Sequence, residues 1–222
     1  MTFSILSRDA SGAIGAAIAS SSPAVAARCI TLADGVGGAN SQNITDPRLG
    51  PKIVRLIDAG LPAAQAVAQV AGADPTAEFR QLIAIDRVGG TGVYSGGRSL
   101  GIHGSAEGLS VVAAGNLLAT DAIPQTMVDA FTRADGDLET RLIAALRAAV
   151  AAGGEAGPIH SAGLSVVRDA GWRVTDLRVD WHEHPVSELA DLLDIWLPQR
   201  DDYVTRGLNP SAAPGYGVAG DE

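Results

Sequence analysis

The stretch Thr2-Phe3-Ser4-Ile5-Leu6-Ser7, the turn-forming Arg8-Asp9-Ala10-Ser11-Gly12 and the apolar residues 13–20 open this sequence and decide its fold. The two apolar stretches have strand lengths, and a Gly-containing turn between them is typical of a β-hairpin. A chain terminus normally frays. This pattern instead predicts that Thr2 is the first residue of a buried hairpin.

Thr2 carries the chemistry that this hairpin would position. If Met1 is removed, the Thr2 hydroxyl lies next to a free α-amine, whose pKa of about 7.7–8.0 allows it to accept the hydroxyl proton near neutral pH. Thr2 is therefore a candidate N-terminal nucleophile. The alternative is that Met1 stays and that Thr2 is simply the first residue of a strand, since many proteins begin with Met-Thr.

Length and composition predict one globular domain of 222 residues that binds neither nucleic acid nor anionic membranes, because its net charge is −9. A lone cysteine excludes an intrachain disulfide, and neither a signal peptide nor a bilayer-spanning apolar run is visible. We expect a soluble, cytoplasmic protein. The Gly-rich residues 34–39 lack dinucleotide and P-loop spacing, and we expect no cofactor.

The remaining pattern alternates blocks of strands and helices. An apolar stretch at 24–32 and a polar, turn-rich loop up to residue 47 follow the hairpin. Helices are predicted over 48–59, 63–71, 116–135, 138–152 and 186–197, and strands over 81–86, 92–95, 108–114, 161–168 and 172–179. This order favours an α+β fold, and with two sheets face to face it becomes a four-layer αββα sandwich. Residues 1–197 would form the domain, and the tail 198–222 would pack on the surface or on a neighbouring subunit.

Several motifs occur together in a family-like order. They are Thr2-Phe3-Ser4-Ile5, Gly15-Ala16-Ala17-Ile18-Ala19-Ser20, Gln42-Asn43-Ile44-Thr45-Asp46-Pro47, Gly115-Asn116-Leu117-Leu118, Ser161-Ala162-Gly163-Leu164 and Asp176-Leu177-Arg178-Val179-Asp180 before Pro185-Val186. In order and spacing they resemble the bacterial family catalogued as domain of unknown function 1028, over roughly residues 2–197.

This resemblance implies a fold similar to that of the N-terminal-nucleophile (Ntn) hydrolases, the αββα superfamily of proteasome subunits and acylases. It also implies hydrolysis of a C–N bond in a small-molecule substrate, and homo-oligomerisation. The chain departs from the family where Asp180-Trp181-His182 replaces an expected Asp-Asp-His. The Ser21-Ser22-Pro23 and Arg28-Cys29 segment is typical of a subgroup, so the substrate could differ between subgroups.

Polar residues around the hairpin are candidates for shaping the pocket. Ser4 lies on the same strand face as Thr2, and Ser20 and Ser21 end the second strand, where they either line the pocket or cap the strand end. Arg28 is the nearest cation in sequence. It would tune the terminal amine or bind a substrate carboxylate, unless it forms a surface ion pair.

Cys29 is the rival nucleophile, because a thiolate needs a neighbouring cation and Arg28 is adjacent in sequence. On a strand, however, adjacent side chains point to opposite faces. A lone cysteine in an apolar stretch is most often a small buried hydrophobic residue. The chain could also be a non-catalytic small-molecule binder of the same fold.

The remaining candidates are amides and histidines. Gln42 and Asn43 could polarise a substrate carbonyl, or could belong to turn chemistry before Pro47. Asn116 could reach the pocket and polarise a substrate carbonyl, or act as a helix N-cap, and His160 could provide acid–base help or bind substrate. Asp180, His182 and His184 alternate along an extended run, but a fourth ligand is missing, and we expect this cluster to be structural rather than a metal site.

Overall fold

The computed structural model describes residues 2–220, which form ten strands and six α-helices. The strands are β1 Thr2–Arg8, β2 Ile14–Ser20, β3 Ile30–Ala33, β4 Gly37–Asn43, β5 Arg80–Asp86, β6 Thr91–Ser95, β7 Gly104–Gly108, β8 Val111–Asn116, β9 Ser161–Val167 and β10 Arg173–Val179. The helices are α1 Val25–Cys29, α2 Leu49–Asp58, α3 Ala63–Ala73, α4 Ile123–Arg133, α5 Leu138–Ala151 and α6 Pro185–Leu208.

The predicted first hairpin is confirmed. β1 and β2 pair antiparallel, with Phe3 opposite Ala19. The turn is held by Asp9, whose carboxylate accepts hydrogen bonds from the backbone N–H groups of Ser11 at 2.9 Å and Ala13 at 3.1 Å. Gly12 adopts a φ of 98°, a left-handed conformation that a residue without Cβ tolerates well. Local turn chemistry is therefore sufficient to bring the two strands together.

Two antiparallel sheets organise the molecule. The larger sheet has the order β10-β9-β2-β1-β8-β7, and the smaller has the order β3-β4-β5-β6. β1 thus lies in the interior of the larger sheet, with β2 on one side and β8 on the other. Antiparallel sheets combined with separate groups of helices confirm the predicted α+β class.

Apolar residues form three clusters that connect these elements. The first joins one face of the larger sheet to α4, α5 and α6, and includes Phe3 and Ile5. The second joins the opposite face of that sheet to the smaller sheet, and includes Leu6 and Ile83. The third joins the smaller sheet to α2 and α3. Successive residues of β1 alternate between the first two clusters, as the period of two in a strand requires. Thr2 and Ser4 therefore face the space between the sheets.

The prediction for residues 24–47 missed the strand β4 and assigned no secondary structure to the apolar stretch. The apolar stretch begins with the short helix α1 before β3, and the expected polar loop is largely the strand β4. Sequence signals for β4 are weak because it consists of small and polar residues. Pairing with β3 on one side and β5 on the other nevertheless satisfies its backbone, which explains how such a sequence forms an inner strand.

Three other elements differ from the prediction. β8 extends to Asn116, so the helix expected from that residue begins only at Ile123, and β7 was missed. α6 continues through Pro198 to Leu208. Arg200 helps to hold this extension, because its guanidinium donates to the buried Glu139 carboxylate at 3.2 Å. The proposed division of the chain at residue 197 therefore falls inside a helix.

No helix among residues 2–220 has both the length and the apolar character needed to cross a membrane.

Candidate active site at the start of the first strand

Thr2 lies at one end of the inner strand β1, between the ends of its two neighbours. Its side chain is only 4% exposed, and its hydroxyl donates to Ser20 Oγ on β2 over 3.4 Å. On the other side, Thr2 is the register partner of Asn116, the last residue of β8. The structure thus brings together three predicted site residues that are far apart in sequence.

A chain of buried amides runs from this point into the space between the sheets. Ser4 Oγ donates to Gln42 Oε1 at 2.6 Å, and Gln42 Nε2 donates to Gln81 Oε1 at 2.9 Å. Asn116 Nδ2 donates to the same Gln81 oxygen at 3.0 Å. Ser4 and Gln42, both predicted to bind substrate, are thus joined to Asn116 through Gln81. Gln81 was not among the predicted site residues.

Backbone carbonyls determine which way these amides point. Gln81 Nε2 donates to the Gly115 carbonyl at 3.0 Å, and Gln42 Nε2 donates to the Ala114 carbonyl at 3.3 Å. A carbonyl can only accept, so the remaining end of each glutamine amide must be its oxygen. Asn116 then has to direct its Nδ2 at Gln81, and its Oδ1 is buried without a hydrogen-bond partner in the described part of the chain. Gln42 Nε2 donates two hydrogen bonds and Asn116 Nδ2 donates to Gln81, which does not favour the polarising role expected for them.

Glu155 is the ionisable group of this site, and sequence reasoning missed it. One carboxylate oxygen accepts from the Ser21 N–H at 3.1 Å, and Glu155 forms an isolated β-bridge with Leu118, two residues after β8. The side chain is 4% exposed, and Oε2 has no hydrogen-bond partner among residues 2–220. Burial raises the pKa of this carboxyl to about 7, although the positive charge of the N-terminal amine and hydrogen bonding from Ser21 oppose the rise.

A weak sequence signal for Glu155 did exist. It is the sole charged residue of Gly153-Gly154-Glu155-Ala156-Gly157, between α5 and β9. Glycines allow this segment to approach the residues that follow β8, and the Ala119 N–H donates to the Gly154 carbonyl at 3.0 Å. An acidic residue among glycines is commonly part of a solvated turn. The neighbouring sequence does not predict that Glu155 is buried near Thr2.

Arg28 lies outside this cluster. Its guanidinium donates to the Pro23 carbonyl, and to the Ala24 carbonyl at 3.2 Å, at the start of its own short helix. Neither predicted role, tuning the amine or binding a carboxylate, is favoured by these contacts. Arg28 instead stabilises the segment after β2 through these hydrogen bonds.

Cys29 has the environment of a structural thiol. It is 2% exposed, and its sulfur lies 3.6 Å from the Thr45 hydroxyl. Burial raises the pKa of the thiol, while the hydrogen bond with Thr45 and the charge of Arg28 have smaller opposing effects. Because the thiolate is the reactive form, this environment does not favour Cys29 as a nucleophile.

Asn43 and His160 support neighbouring segments. Asn43 Nδ2 donates to the Phe79 carbonyl at 2.6 Å, and its Oδ1 accepts from the Leu100 N–H at 3.1 Å, so both ends of its amide are used away from Thr2. The His160 N–H donates to the Ser20 carbonyl at 2.8 Å, and its ring stacks on Trp181 with centroids 4.3 Å apart. His160 therefore borders the site through its backbone.

The Asp180, His182 and His184 run does not gather into a ligand set. The His184 N–H donates to His182 Nδ1 at 3.1 Å, and Asp180 lies 3.8 Å from Arg178. Within residues 2–220 there is no group of three or more His, Cys, Asp or Glu side chains that could hold a metal ion.

Fold and site together define the class of this protein: an α+β chain with two antiparallel sheets and a buried hydroxyl, amide and carboxyl cluster at the end of an inner strand. The chain belongs to the family of unknown function DUF1028, whose model matches residues 2–189. This confirms the resemblance inferred from the motifs.

Two solved structures are similar to this chain. A crystal structure of a Silicibacter pomeroyi protein described as DUF1028 is 30% identical, with a TM-score of 0.86 over 92% of this chain and 90% of that one. Anbu (ancestral beta-subunit) from Yersinia bercovieri is 14% identical, with a TM-score of 0.41 over 88% of this chain and 97% of that one, a likeness too low to carry an argument. None of the curated proteins matches this chain.

Proposed function

We propose that this protein is an N-terminal-nucleophile amidohydrolase that cleaves a C–N bond of amide, lactam or ureido type in a small molecule, with Thr2 as nucleophile after removal of Met1. The observation that carries the proposal is the position of Thr2. A hydroxyl residue next to the chain terminus lies buried between β2 and β8, where it contacts Ser20 and faces Asn116. Such burial holds a terminus that would otherwise fray.

The reaction follows from the chemistry of a terminal threonine. The Thr2 oxygen attacks the substrate carbonyl carbon, and the Thr2 α-amine takes the hydroxyl proton. The C–N bond then breaks, and the leaving nitrogen receives that proton. Water hydrolyses the resulting ester, which releases the acid and restores the hydroxyl. Ser20 would orient the Thr2 oxygen, since the two hydroxyls are already in contact.

We also propose the finer fold assignment, a four-layer αββα sandwich of the Ntn type. Its support is the arrangement of the three apolar clusters, which connect helices to the larger sheet, the two sheets to each other, and the smaller sheet to helices. In this arrangement the space between the sheets would open at Thr2, because Thr2 and Ser4 face it.

Homo-oligomerisation is a further proposal. α6 leaves large apolar side chains at the surface, among them Ile195, which is 64% exposed, and Leu208, which is 59% exposed. A second copy of this chain would cover them. Size-exclusion chromatography with light scattering tests this, and an Ile195→Glu variant that keeps the wild-type mass would contradict an interface on α6.

The first test is the intact mass of untagged protein. A mass lower by one methionine gives Thr2 a free amine, whereas retention of Met1 in a sample that still turns over substrate would overturn the mechanism. Wild type, Thr2→Ala and Thr2→Ser are then assayed against small amides, lactams and ureido compounds. Thr2→Ala should lose at least about 10³-fold in kcat, and Thr2→Ser should keep measurable turnover because it keeps the hydroxyl.

The matched control is Cys29→Ala, which should keep wild-type turnover because the thiol is buried and protonated. Turnover that survives Thr2→Ala but is lost in Cys29→Ala would replace the proposed nucleophile with the rival one.

A further inference from the structure

Asn116 Oδ1 and Glu155 Oε2 are two of the buried side-chain atoms in residues 2–220 that lack a hydrogen-bond partner, and both can accept a hydrogen bond. Asn116, on the strand next to Thr2, is fully buried, and Glu155 is only 4% exposed. A buried polar atom without a partner costs about 1–3 kcal/mol, so each such atom requires an explanation. A ligand that donates hydrogen bonds would provide one.

Asn116 Oδ1 is an acceptor, and Glu155 Oε2 is one when its carboxyl is ionised. The Asn116 amide cannot be reversed, because its nitrogen is needed by Gln81 Oε1, and Gln81 is itself oriented by the Gly115 carbonyl. Glu155 uses one oxygen for the Ser21 N–H. Its second oxygen accepts in the ionised form. Burial disfavours that form, and a bound cation or hydrogen-bond donor would stabilise it.

The two acceptors lie on opposite sides of Thr2. Asn116 is its register partner on β8. Glu155 is bonded to Ser21, the residue after Ser20, whose hydroxyl accepts from Thr2 on the β2 side. Both acceptors therefore belong to segments that contact Thr2 or its neighbours on β2.

The charge around Glu155 is also negative. A cavity of about 240 Å³ reaches this residue between the end of α5 and the start of β9, and its charged lining residues are Glu155 and Glu183. Arg28, the cation nearest to Thr2 in sequence, is occupied by backbone carbonyls at the start of α1. The carboxylates of Glu155 and Glu183 outnumber the chain's N-terminal amine, whose positive charge also acts on Glu155, so these surroundings attract a cation and repel an anion.

We infer that the site beside Thr2 selects substrates that carry a protonated amine, amidine or guanidine group, which Glu155 Oε2 and Asn116 Oδ1 bind while the C–N bond to be cleaved lies at Thr2. This inference rests on the proposed function for the position of the reacting bond. It excludes carboxylate-bearing substrates, for which Arg28 had been the expected partner. An amidine or guanidine carries several N–H donors, so it can donate to acceptors on both sides of Thr2.

The test uses three probes of nearly equal size and shape that differ in charge: benzamidine, benzamide and benzoate. Their binding to wild type and to Thr2→Ala is measured by isothermal titration calorimetry. The dissociation constant of benzamidine should be at least about tenfold lower than that of benzamide, and benzoate should bind most weakly. This comparison requires no change at Glu155, so it remains valid even where a variant folds poorly.

The Glu155→Gln variant then tests whether Glu155 causes the preference for benzamidine. It should raise the dissociation constant of benzamidine about tenfold or more and leave that of benzamide within about twofold, because only the charge is removed. The matched control is Glu183→Gln, an exposed acid of the same cavity, which should change benzamidine binding less than about twofold. Benzoate binding as tightly as benzamidine, or benzamidine binding that Glu155→Gln does not change, would overturn the inference.

The outcomes separate this inference from the proposed function. A preference for benzamidine that depends on Glu155, in a protein that hydrolyses none of the amides, supports the inference and defeats the catalytic proposal. Thr2-dependent hydrolysis with no preference for cationic compounds supports the catalytic proposal and defeats the inference.

Discussion

Glu155→Gln should change how the stability of the ligand-free protein depends on pH. Burial raises the pKa of the Glu155 carboxyl from its ordinary value of 4.5 to about 7. Between about pH 4.5 and pH 7 the folded protein therefore holds a proton that the unfolded chain has lost. The free energy of unfolding contributed by this group is greatest below that window and declines as the pH rises through it.

The size of the effect follows from the same two pKa values. Each pKa unit corresponds to 1.36 kcal/mol, so the rise from 4.5 to about 7 amounts to at most about 3 kcal/mol. Glutamine keeps an acceptor for the Ser21 N–H and carries no charge at any pH. Relative to wild type, the variant should thus gain about 3 kcal/mol in free energy of unfolding between about pH 4.5 and pH 8.

Urea denaturation at several pH values in this range measures the effect, because the free energy of unfolding extrapolates linearly to water. The comparison with wild type cancels the titration of groups that do not interact with Glu155. Glu183→Gln serves as control and should follow the wild-type curve, since that carboxylate is exposed. Parallel pH profiles for wild type and Glu155→Gln would refute the reasoning and would mean that Glu155 is well solvated or paired in solution.

Three further predictions concern stability and reactivity. Gln81→Leu should lower the free energy of unfolding by about 2–5 kcal/mol in urea denaturation, because it strands the buried donors of Gln42 and Asn116, and an unchanged midpoint would contradict the amide chain. Gly92→Ala should lower the melting temperature by several degrees, since its Cβ would lie 2.6 Å from the Ala63 carbonyl oxygen. Gly72→Ala on the open face of α3 is the matched control and should raise stability by about 0.5–1 kcal/mol. Native Cys29 should react with a thiol reagent at least about 10²-fold more slowly than the urea-unfolded chain, because burial removes access and raises its pKa, and equal rates would contradict its buried position.

Local patterns in the sequence were sufficient to predict much of the architecture. The β1–β2 hairpin follows from two apolar stretches and the turn chemistry of Asp9 and Gly12, and the last hairpin follows in the same way across Gly171. Helices α2, α3 and α5 were predicted to within about two residues because their apolar side chains recur at helical spacing. These elements depend on interactions between residues close in sequence.

Elements that depend on distant partners were predicted less well. β4 is polar enough to look like a loop, and it is a strand because β3 and β5 satisfy its backbone on both sides. Asn116 ends a strand rather than starting a helix because β1 pairs with it. α6 continues past Pro198 because contacts such as Arg200 with Glu139 stabilise the additional turns.

By itself, the sequence determined that this chain is an α+β protein of the DUF1028 family whose Thr2 begins an apolar hairpin, since strand period and turn residues act locally. Only the tertiary structure decided which side chains surround Thr2. Glu155, Asn116 and Gln81 come from separate segments, and their meeting depends on strand register. The direction of each amide, and hence the two open acceptors, depends on backbone carbonyls of other strands. Hydrogen bonds between distant segments leave no periodic signal in the sequence, and for that reason the chemistry of the site became visible only in the folded chain.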